Sequence, residues 1–286
     1  MDLSIIIPSY NTKTLLDACI ASIYKTKLSL SFEIIVVDNA STDGTVPMLK
    51  KMYPDVLVIS NKKNVGYGRA NNQGIAKAKG SYILFLNSDT IVLPGSLDSL
   101  YGYTKSQHNV FVGPKLLNAD KTPQTSCGAF FTPWVVFAAL FLKGDVIGLT
   151  RWSPNHSTSV DWVSGACIMV KKELLTDDLL FDEDIFMYME EIDLLYRAKK
   201  KGYITMFYPK STIIHLGCGG SVENRKKAII NIYRGITHFY RKHYSKNSYT
   251  IVQLMLKLKA RLGMFFGSMT GNSVMKKTYE EAYQLV

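Results

Sequence analysis

The sequence predicts an α/β fold in which a mostly parallel central sheet is flanked by helices and followed by a C-terminal helical extension. Short apolar runs alternate with helical patterns through the first hundred residues, which implies parallel strands joined by right-handed crossovers. Apolar residues make up 47% of the chain and charged residues 20%, which is enough for a large core and unlike a disordered chain. We expect an α/β domain over residues 1–221 and the extension over residues 222–286.

The first hundred residues are predicted element by element from these patterns. Short apolar runs indicate buried strands, and apolar residues spaced by three and four indicate helices. The predicted strands cover residues 3–8, 32–37, 56–60 and 81–86, and the predicted helices cover residues 14–24, 45–52 and 68–78. The residues from Thr90 to Pro94, which follow the turn at Asp89, are assigned no element.

The pattern becomes less regular after Pro94. A segment over residues 117–161 has little periodicity, and a segment of this kind is usually a functional loop or lid. Gly202 ends the helix predicted over residues 190–201. The remaining predicted elements are helices over 96–104, 190–201, 223–244 and 249–266 and strands over 110–115, 162–170 and 203–208.

Several classes of protein are excluded by what the sequence lacks. The first residues have no basic n-region, so no signal peptide is expected, and no apolar run approaches the roughly 20 residues of a membrane-spanning helix. Neither GxGxxG nor GxxxxGK[ST] occurs, which disfavours a dinucleotide oxidoreductase and a P-loop protein. The cysteines have no CxxC spacing, which favours a reduced cytoplasmic protein and disfavours structural zinc: Cys19, Cys127, Cys167 and Cys218.

Four polar loops are predicted to meet at one edge of the sheet. They cover residues 8–11, 38–45, 64–72 and 87–89. Two of the predicted strands have an aspartate just beyond their ends, Asp38 and Asp89. Ligands of open α/β sheets bind beyond the carboxyl ends of the strands, so a nucleotide is expected there. Ordinary turn chemistry is the alternative for any single loop, and Asp89 alone could simply cap its turn.

An acidic pair follows an apolar and aromatic run at residues 185–189. Glu190 and Glu191 at a helix N-terminus could be plain capping residues, favoured there by the helix dipole. The aromatic cover could instead raise a carboxylate pKa toward that of a general base. Neighbouring helical residues point about 100° apart, so at most one of the two is expected to be the base.

His215 ends an apolar run before a Gly-rich segment at residues 217–221. A lone histidine is often a structural residue, but this one ends a strand as Asp38 and Asp89 do. One aspartate, one histidine, diphosphate oxygens and water together would suit Mg²⁺ or Mn²⁺.

Taken in order, these segments resemble family 2 glycosyltransferases, and within them the rhamnosyltransferase-like bacterial branch. The resemblance covers roughly residues 3–221, and it is specific as a set rather than motif by motif. The matching segments are residues 6–11, 37–45, 64–67, 87–89 and 161–167, and the stretch from Phe181 to Arg197.

The resemblance implies a GT-A fold, a Rossmann-like domain with a nucleotide-sugar-binding half at 1–95 and an acceptor-binding half at 96–221. It implies an inverting transfer of a sugar, with rhamnose favoured by the branch, from a dTDP- or UDP-linked donor. The acceptor would be a hydroxyl of a saccharide or a lipid-linked saccharide in cell-surface polysaccharide synthesis. A nucleotidyltransferase and a catalytically weak nucleotide-sugar-binding scaffold are the alternatives.

The resemblance also assigns site residues. Asp89 and His215 match the metal ligands, Glu191 matches the general base with Glu190 as the alternative, and Trp162 and Gly165 border the acceptor. The nucleotide-sugar set is Pro8, Ser9, Tyr10, Asn11, Asp38, Asn39, Gly66, Asn72, Asn87, Ser88 and Asp89. The chain departs from the family where Asn87 replaces the first Asp of the DxD motif, where Glu191 replaces the usual Asp, and throughout residues 117–161.

The basic charge is concentrated in the extension. Residues 222–286 carry 12 Lys and Arg against 3 Asp and Glu, whereas residues 1–221 carry 22 against 20. The extension either packs on the domain with a solvated basic face or lies on anionic lipid at the inner face of the membrane. Nucleic acid is disfavoured because no recognised motif accompanies the charge. An apolar stripe supports the lipid alternative: Leu254, Leu258, Leu262, Phe265 and Phe266.

Overall fold

The central feature of the fold is a nine-stranded mixed sheet with helices on both faces. The computed structural model describes residues 1–217 and 222–286, without the side chains of residues 222–224. Residues 218–221, which include Cys218, most of the Gly-rich segment and the predicted domain boundary, lie outside the described residues.

The strands are β1 (Leu3–Ser9), β2 (Phe32–Asp38), β3 (Leu57–Ser60), β4 (Tyr82–Leu86), β5 (Thr90–Val92), β6 (Val110–Leu117), β7 (Cys127–Gly128), β8 (Arg151–Trp152), β9 (Thr158–Val160), β10 (Trp162–Val163), β11 (Cys167–Lys171) and β12 (Ile204–His215). The helices are α1 (Lys13–Lys25), α2 (Thr45–Met52), α3 (Tyr67–Lys77), α4 (Ser96–Ser106), α5 (Pro133–Phe141), α6 (Glu190–Lys200), α7 (Val222–His243), α8 (Lys246–Met269) and α9 (Ser273–Tyr283).

The strand order in the main sheet is β3-β2-β1-β4-β11-β6-β12-β5, with β9 also paired to β12. The first four strands in this order run parallel, as the alternating pattern predicts, and β6 runs parallel to β12. Strand β11 enters antiparallel between β4 and β6, and β5 pairs antiparallel with β12 at the edge. The predicted mostly parallel α/β fold is therefore confirmed. A second, small sheet has the order β10-β7-β8.

The sheet is buried on both faces, which is why its strands read as continuous apolar runs. Every residue of β1 is buried. Alternate side chains of this strand join two different clusters, because successive side chains of a strand point to opposite faces. Ile6 packs in the cluster with α3 and α6, whereas Ile5 and Ile7 pack in the cluster with α1 and α4.

Four details differ from the sequence-based predictions. Residues Thr90–Val92, to which no element was assigned, form the edge strand β5. The stretch 117–161 contains a helix, α5, whose start is marked by Thr132, because its side chain accepts a hydrogen bond from the Val135 N–H, and by Pro133 at the first turn. The single strand predicted over 162–170 is two strands in different sheets. Helix α9 was not predicted.

Helix α7 packs on the α/β domain, as one of the two alternatives for the extension predicts. Phe239 and Tyr240 are fully buried, and the Tyr240 hydroxyl donates to the Phe131 carbonyl at 2.6 Å. Asp193 of α6, also fully buried, accepts hydrogen bonds from His243 at 2.6 Å and from Lys242 at 3.1 Å. Part of the basic charge of the extension is thus held in ion pairs inside the molecule.

Candidate active site

Asp89 and His215 are brought together by the pairing of β5 with β12. In this register Thr90 lies opposite His215, so the residue before β5 meets the last residue of β12. The His215 Nε2 and Asp89 Oδ1 atoms are 3.4 Å apart. Two residues 126 positions apart in the sequence therefore form one polar site at the sheet edge.

Gln124 fixes which nitrogen of His215 faces this site. Its side-chain amide donates to Asn118 Oδ1 at 3.0 Å and to the His215 carbonyl at 3.3 Å, which orients its Oε1. That oxygen lies 2.8 Å from His215 Nδ1 and has no hydrogen to donate, so Nδ1 carries the proton. With Nδ1 as the donor to Gln124, Nε2 is the ring nitrogen that faces Asp89.

The two donor atoms fit one divalent ion. Ligand atoms about 2.1 Å from one ion lie about 3 Å apart at neighbouring octahedral positions, close to the 3.4 Å between His215 Nε2 and Asp89 Oδ1. In the described part of the chain no group of three or more His, Cys, Asp or Glu side chains could hold a metal. The remaining positions would therefore belong to water and to ligand oxygens, as is common for Mg²⁺.

Asn87 also contacts His215. Its Nδ2 lies 3.4 Å from His215 Nε2, and its backbone N–H donates to the Ala166 carbonyl. The Asn87 amide carries no charge that would attract a cation, but its N–H can donate a hydrogen bond to the Nε2 lone pair of His215. The departure from the DxD pattern thus leaves Asp89 as the only carboxylate of this pair.

A chain of hydroxyl groups connects the ends of β1 and β4. Ser9 Oγ lies 2.9 Å from Thr12 Oγ1, which donates to Ser88 Oγ at 3.0 Å. Ser9 and Ser88 are buried. Two of the predicted nucleotide-sugar residues are therefore linked through Thr12, a residue that the sequence analysis did not select.

Asp38 has a buried carboxylate oxygen with no partner among the described residues. The residue is 2% exposed; its Oδ2 accepts from the Ser41 N–H at 3.0 Å, and its Oδ1 has no hydrogen-bond partner there. A buried unsatisfied acceptor is costly and calls for a donor from a ligand. Asp38 is therefore suited to accept a hydrogen bond from an N–H group of a bound base.

Gly66 is held closely against the loop before the acidic pair. A Cβ at Gly66 would lie 2.4 Å from the Phe186 carbonyl oxygen, and its φ is +88°. The Tyr67 N–H donates to the same carbonyl at 3.0 Å, and the Gly66 carbonyl accepts from Asn39 Nδ2. The close approach seen at Gly66 is thus to protein backbone, and its contact with a nucleotide stays a prediction.

The other predicted nucleotide-sugar residues occupy different environments. Tyr10 is 49% exposed, and Pro8 is buried beneath it in β1. Asn11 is exposed, and its Oδ1 accepts from the Thr42 N–H at 2.8 Å, which joins the first two loops. Asn72 exchanges two hydrogen bonds with the Phe181 backbone, so it supports the loop instead of facing solvent.

The acidic pair begins α6, and its two members differ in exposure. Glu190 is buried, and its Oε2 has no hydrogen-bond partner in the described structure. Burial, and then the charge of Glu191, raises the pKa of Glu190 well above its usual value. The protonated form of Glu190 is therefore favoured more than that of a free glutamate, which makes Glu190 the weaker candidate for the base.

Glu191 is half-buried and faces Gly165. Its Oε1 accepts from the Gly165 N–H at 3.4 Å, and the Gly165 carbonyl accepts from the Tyr67 hydroxyl at 2.6 Å. Burial raises the pKa of Glu191, while backbone N–H groups and the charge of Arg151 oppose part of that rise. The result is a carboxylate that binds a proton more readily than a free glutamate does, as a general base requires.

The backbone before α6 is strained. Tyr188 and Met189 both have positive φ, 66° and 77°, which is uncommon for bulky residues. The segment is held on its far side by α7, where a Cβ at Gly235 would lie 2.7 Å from the Tyr188 carbonyl oxygen. Burial, and then the charges of Glu190, Glu191 and Asp89, raises the pKa of Tyr188. Tyr188 is therefore close enough to be influenced by the charges of both the acidic pair and Asp89.

Trp162 is buried, and its place beside an acceptor stays a prediction. Its ring is 3% exposed, and its indole N–H donates to the Ala129 carbonyl at 2.8 Å. The ring lies under the guanidinium of Arg151, 5.4 Å from the ring centre. Trp162 thus supports Arg151, the cation that acts on Glu191, and offers an acceptor almost no surface.

Sequence reasoning missed Gln124, Arg151 and Tyr67 as members of the site. Gln124 and Arg151 lie within the aperiodic stretch 117–161, where no motif marked them. Tyr67 was quoted within its loop but given no role. Gln124 lies among polar residues just before β7, so no sequence signal distinguished it from its neighbours.

Comparison with known proteins identifies relatives of this chain. Residues 4–126 match the family model described as Glycosyl transferase family 2. An N-acetylglucosaminyl-diphospho-decaprenol L-rhamnosyltransferase of Mycobacterium tuberculosis is 27% identical over 213 residues, which are 66% of this chain and 69% of that protein. A poly(ribitol-phosphate) beta-glucosyltransferase of Bacillus spizizenii is 36% identical over 132 residues, which are 44% of this chain and only 21% of that protein.

Solved structures give the same fold. Residues 1–349 of S. aureus TarS, crystallised in complex with UDP-GlcNAc, superpose with a TM-score of 0.56 at 14% identity. The match covers 99% of this chain and 92% of that one. At this identity the likeness concerns the fold, and it includes the helices that follow the α/β domain.

Proposed function

This chain belongs to the family 2 glycosyltransferases, and we propose that it is an inverting, metal-dependent enzyme acting on a nucleoside-diphosphate sugar. The acceptor we propose is a hydroxyl of a saccharide or of a lipid-linked saccharide in cell-surface polysaccharide synthesis. The observation that carries the proposal is the 3.4 Å approach of Asp89 to His215 at the sheet edge that also holds the unpartnered oxygen of Asp38.

The donor would lie across this edge. Asp38 would accept from the N–H of a pyrimidine base, which would satisfy its buried Oδ1. Uracil and thymine both carry that N–H, so UDP- and dTDP-linked sugars fit the same contact. The rhamnosyltransferase among the relatives supports rhamnose, and the UDP-GlcNAc complex of the structural neighbour supports a nucleotide-sugar donor.

Asp89 and His215 would hold a divalent ion with the donor diphosphate. When bound, Mg²⁺ or Mn²⁺ supplies positive charge that neutralises the leaving diphosphate. Gln124 keeps the Nε2 lone pair of His215 available for that purpose, and Asp89 contributes its carboxylate.

Glu191 would act as the general base. It takes the proton from the acceptor hydroxyl as that oxygen forms its bond to the anomeric carbon. The bond between that carbon and the diphosphate oxygen breaks on the opposite face, and the diphosphate leaves with the electron pair. One displacement of this kind inverts the anomeric configuration. Gly165, whose N–H donates to Glu191, would lie beside the acceptor.

We place the reaction on the cytoplasmic, inner face of the membrane, with the extension against anionic lipid. Two features support this location. The free thiols of Cys19, Cys127 and Cys167 are buried, and burial raises the pKa of the first two to about 12, as suits unreactive cysteines in a reducing compartment. The excess of basic residues over acidic ones in 222–286 supports contact with anionic lipid. No helix in the described ranges is long and apolar enough to cross a membrane.

The experiment is donor turnover with and without metal. Release of nucleoside diphosphate from UDP- and dTDP-sugars is measured with Mn²⁺ and then with excess EDTA. We expect release that EDTA abolishes and that added Mn²⁺ restores. A scaffold that has lost activity would bind the donor without turnover. A nucleotidyltransferase would move the nucleoside monophosphate group of the donor and release sugar 1-phosphate instead.

A further inference from the structure

Helix α8 has apolar residues on two opposite faces. One face packs inward through Val252, Leu256 and Ala260, which are buried. The other face is exposed and runs the whole length of the helix at intervals of three and four residues: Ile251, Leu254, Leu258, Leu262, Phe265 and Met269. Since a solvated helix normally presents polar residues outward, this outer face lacks its partner.

A second exposed apolar segment belongs to the α/β domain. It consists of the start of α5 and the loop that follows α5, within the stretch 117–161. Trp134 is 64% exposed, Val146 80% and Ile147 62%, and Leu142 and Leu149 are exposed as well. We refer to residues 134–149 as the apolar loop.

The apolar loop and the outer face of α8 adjoin each other. Lys259 of α8 donates to the Leu140 carbonyl at 2.7 Å and lies over the Phe141 ring. Lys259 follows Leu258 directly and precedes Leu262 by three residues, so α5 ends along the edge of the outer face. The exposed residues of both elements therefore form one surface, which neither element makes alone.

Charge indicates what covers this surface. Helix α8 carries four cations and no carboxylate: Lys246, Lys257, Lys259 and Arg261. The apolar loop adds Lys143 against Asp145, and the latter accepts a hydrogen bond from Thr150. A second copy of the chain would set the same cations of two α8 helices against each other. Anionic lipid headgroups with acyl chains beneath them match both the charge and the apolar residues.

We propose that the apolar loop and α8 together form one membrane-docking surface and that the loop inserts into an anionic bilayer. This proposal rests on the proposed contact of the extension with lipid and extends that contact to the catalytic body. The loop lies between β7 and β8 of the small sheet, and Arg151 of β8 acts on Glu191. Docking through the loop would therefore hold the proposed base near acceptors anchored in the same bilayer.

The direct test uses the fluorescence of Trp134. The chain has three tryptophans; Trp152 is half-buried and Trp162 is buried, so only Trp134 is open to lipid. The full chain is mixed with phosphatidylcholine vesicles with or without phosphatidylglycerol, some carrying brominated acyl chains. We expect brominated anionic vesicles to quench a component of the emission that Trp134→Phe lacks. Equal quenching of both proteins, or none in a chain that still sediments with vesicles, would overturn the insertion.

A charge-insertion variant gives the energetic test. Val146→Asp with Ile147→Asp places two carboxylates at exposed positions, where folding tolerates them. We expect anionic vesicle binding to fall on the order of tenfold or more, since the apolar side chains and the attraction to headgroups are both lost. Met52→Asp, at another exposed apolar residue outside the surface, is the matched control and should bind as the wild type does.

Two further readouts separate this proposal from the others. Release of nucleoside diphosphate in lipid-free buffer should be the same in the double variant and the wild type. If neither protein releases nucleoside diphosphate, the proposed function is wrong, whereas the proposed membrane surface is still tested by vesicle binding. Sedimentation velocity reports the self-association of both proteins. If the double variant breaks a dimer and leaves vesicle binding unchanged, the surface joins copies of the chain and the proposal is wrong.

Discussion

Gln124 Oε1 accepts a hydrogen bond from His215 Nδ1 at 2.8 Å, and this contact orients the imidazole toward Asp89. The glutamine is anchored in turn by its own amide, which donates to Asn118 and to the His215 carbonyl. A contact of this kind on the far nitrogen of a ligating histidine usually determines its tautomer and basicity.

Replacing Gln124 by Ala should weaken Mn²⁺ binding by about 10 to 100-fold, the range typical of such supporting contacts. Titration of Mn²⁺ followed by electron paramagnetic resonance measures the affinity in the presence of nucleoside diphosphate. Nitrogen-15 shifts of His215 in the metal-free protein should show the Nδ1-protonated form in the wild type and a mixture of tautomers in Gln124→Ala. An unchanged tautomer and an unchanged affinity would mean that Gln124 only packs against the ring.

The two glutamates of the acidic pair should respond differently to the same substitution. Glu191→Gln removes the proposed base and should lower turnover by roughly 10² to 10⁴-fold. Glu190→Gln is close in shape to the protonated acid that burial favours, so it should keep most of the activity. Both variants are compared by sugar transfer, with donor binding by calorimetry as the control for folding. The reverse pattern would assign the base to Glu190.

Turnover should depend on pH with the sign set by Glu191. A base works when it is deprotonated, and burial raises the pKa of Glu191 above its ordinary value of 4.5. Turnover should therefore rise with pH through a midpoint above that of a free glutamate, while donor affinity changes less. The decrease in turnover at low pH should also be present in the Glu190→Gln variant. A midpoint at or below the value of free glutamate would contradict the burial argument.

Asp193 should contribute strongly to the stability of the fold. It is fully buried and is paired with Arg197, Lys242 and His243. Asp193→Asn would remove the fully buried carboxylate that pairs with Arg197 and Lys242, at a cost of about 3 kcal/mol in the free energy of unfolding. Glu173→Gln, which breaks an exposed pair with Lys171, should cost less than about 1 kcal/mol. Urea denaturation compares the two; equal costs would refute the role of Asp193.

Asp193 should also make the stability of the fold depend on pH. Burial alone would raise the pKa of Asp193, but its hydrogen bond from His243 and the charges of Arg197 and Lys242 lower it overall. A lowered pKa in the folded state stabilises the protein above the unfolded value of about 4 and loses that contribution as the pH falls toward the folded value. The wild type should therefore lose stability below about pH 4 more steeply than Asp193→Asn does.

Sequence reasoning succeeded where local pattern and position agree. The four strand-end loops and Asp38 and Asp89 could be located because parallel strands end at one edge of a sheet. The meeting of Asp89 with His215 depends on β5, which has only three residues and which the sequence analysis does not predict. Its pairing with β12 is a long-range contact, and short strands of this kind have no periodicity of their own.

The acceptor side could not be predicted to the same depth. Trp162 was expected at the acceptor, but burial depends on how three short strands stack, which no spacing encodes. Arg151 affects Glu191 through its charge and Gln124 holds His215 through hydrogen bonds, and no motif marks interactions of this kind. The apolar loop lies within the aperiodic stretch 117–161, and only the fold shows that it adjoins α8.

The central claim is that Asp89 is the acidic ligand of a metal-dependent sugar transfer. Its most direct test is the rate of nucleoside diphosphate release by Asp89→Asn with saturating Mn²⁺, beside Asp98→Asn as a control on the surface helix α4. We predict a loss of roughly 10² to 10³-fold for Asp89→Asn, because the leaving diphosphate loses its charge stabilisation, and little change for the control. Wild-type turnover by Asp89→Asn, insensitive to EDTA, would contradict the account.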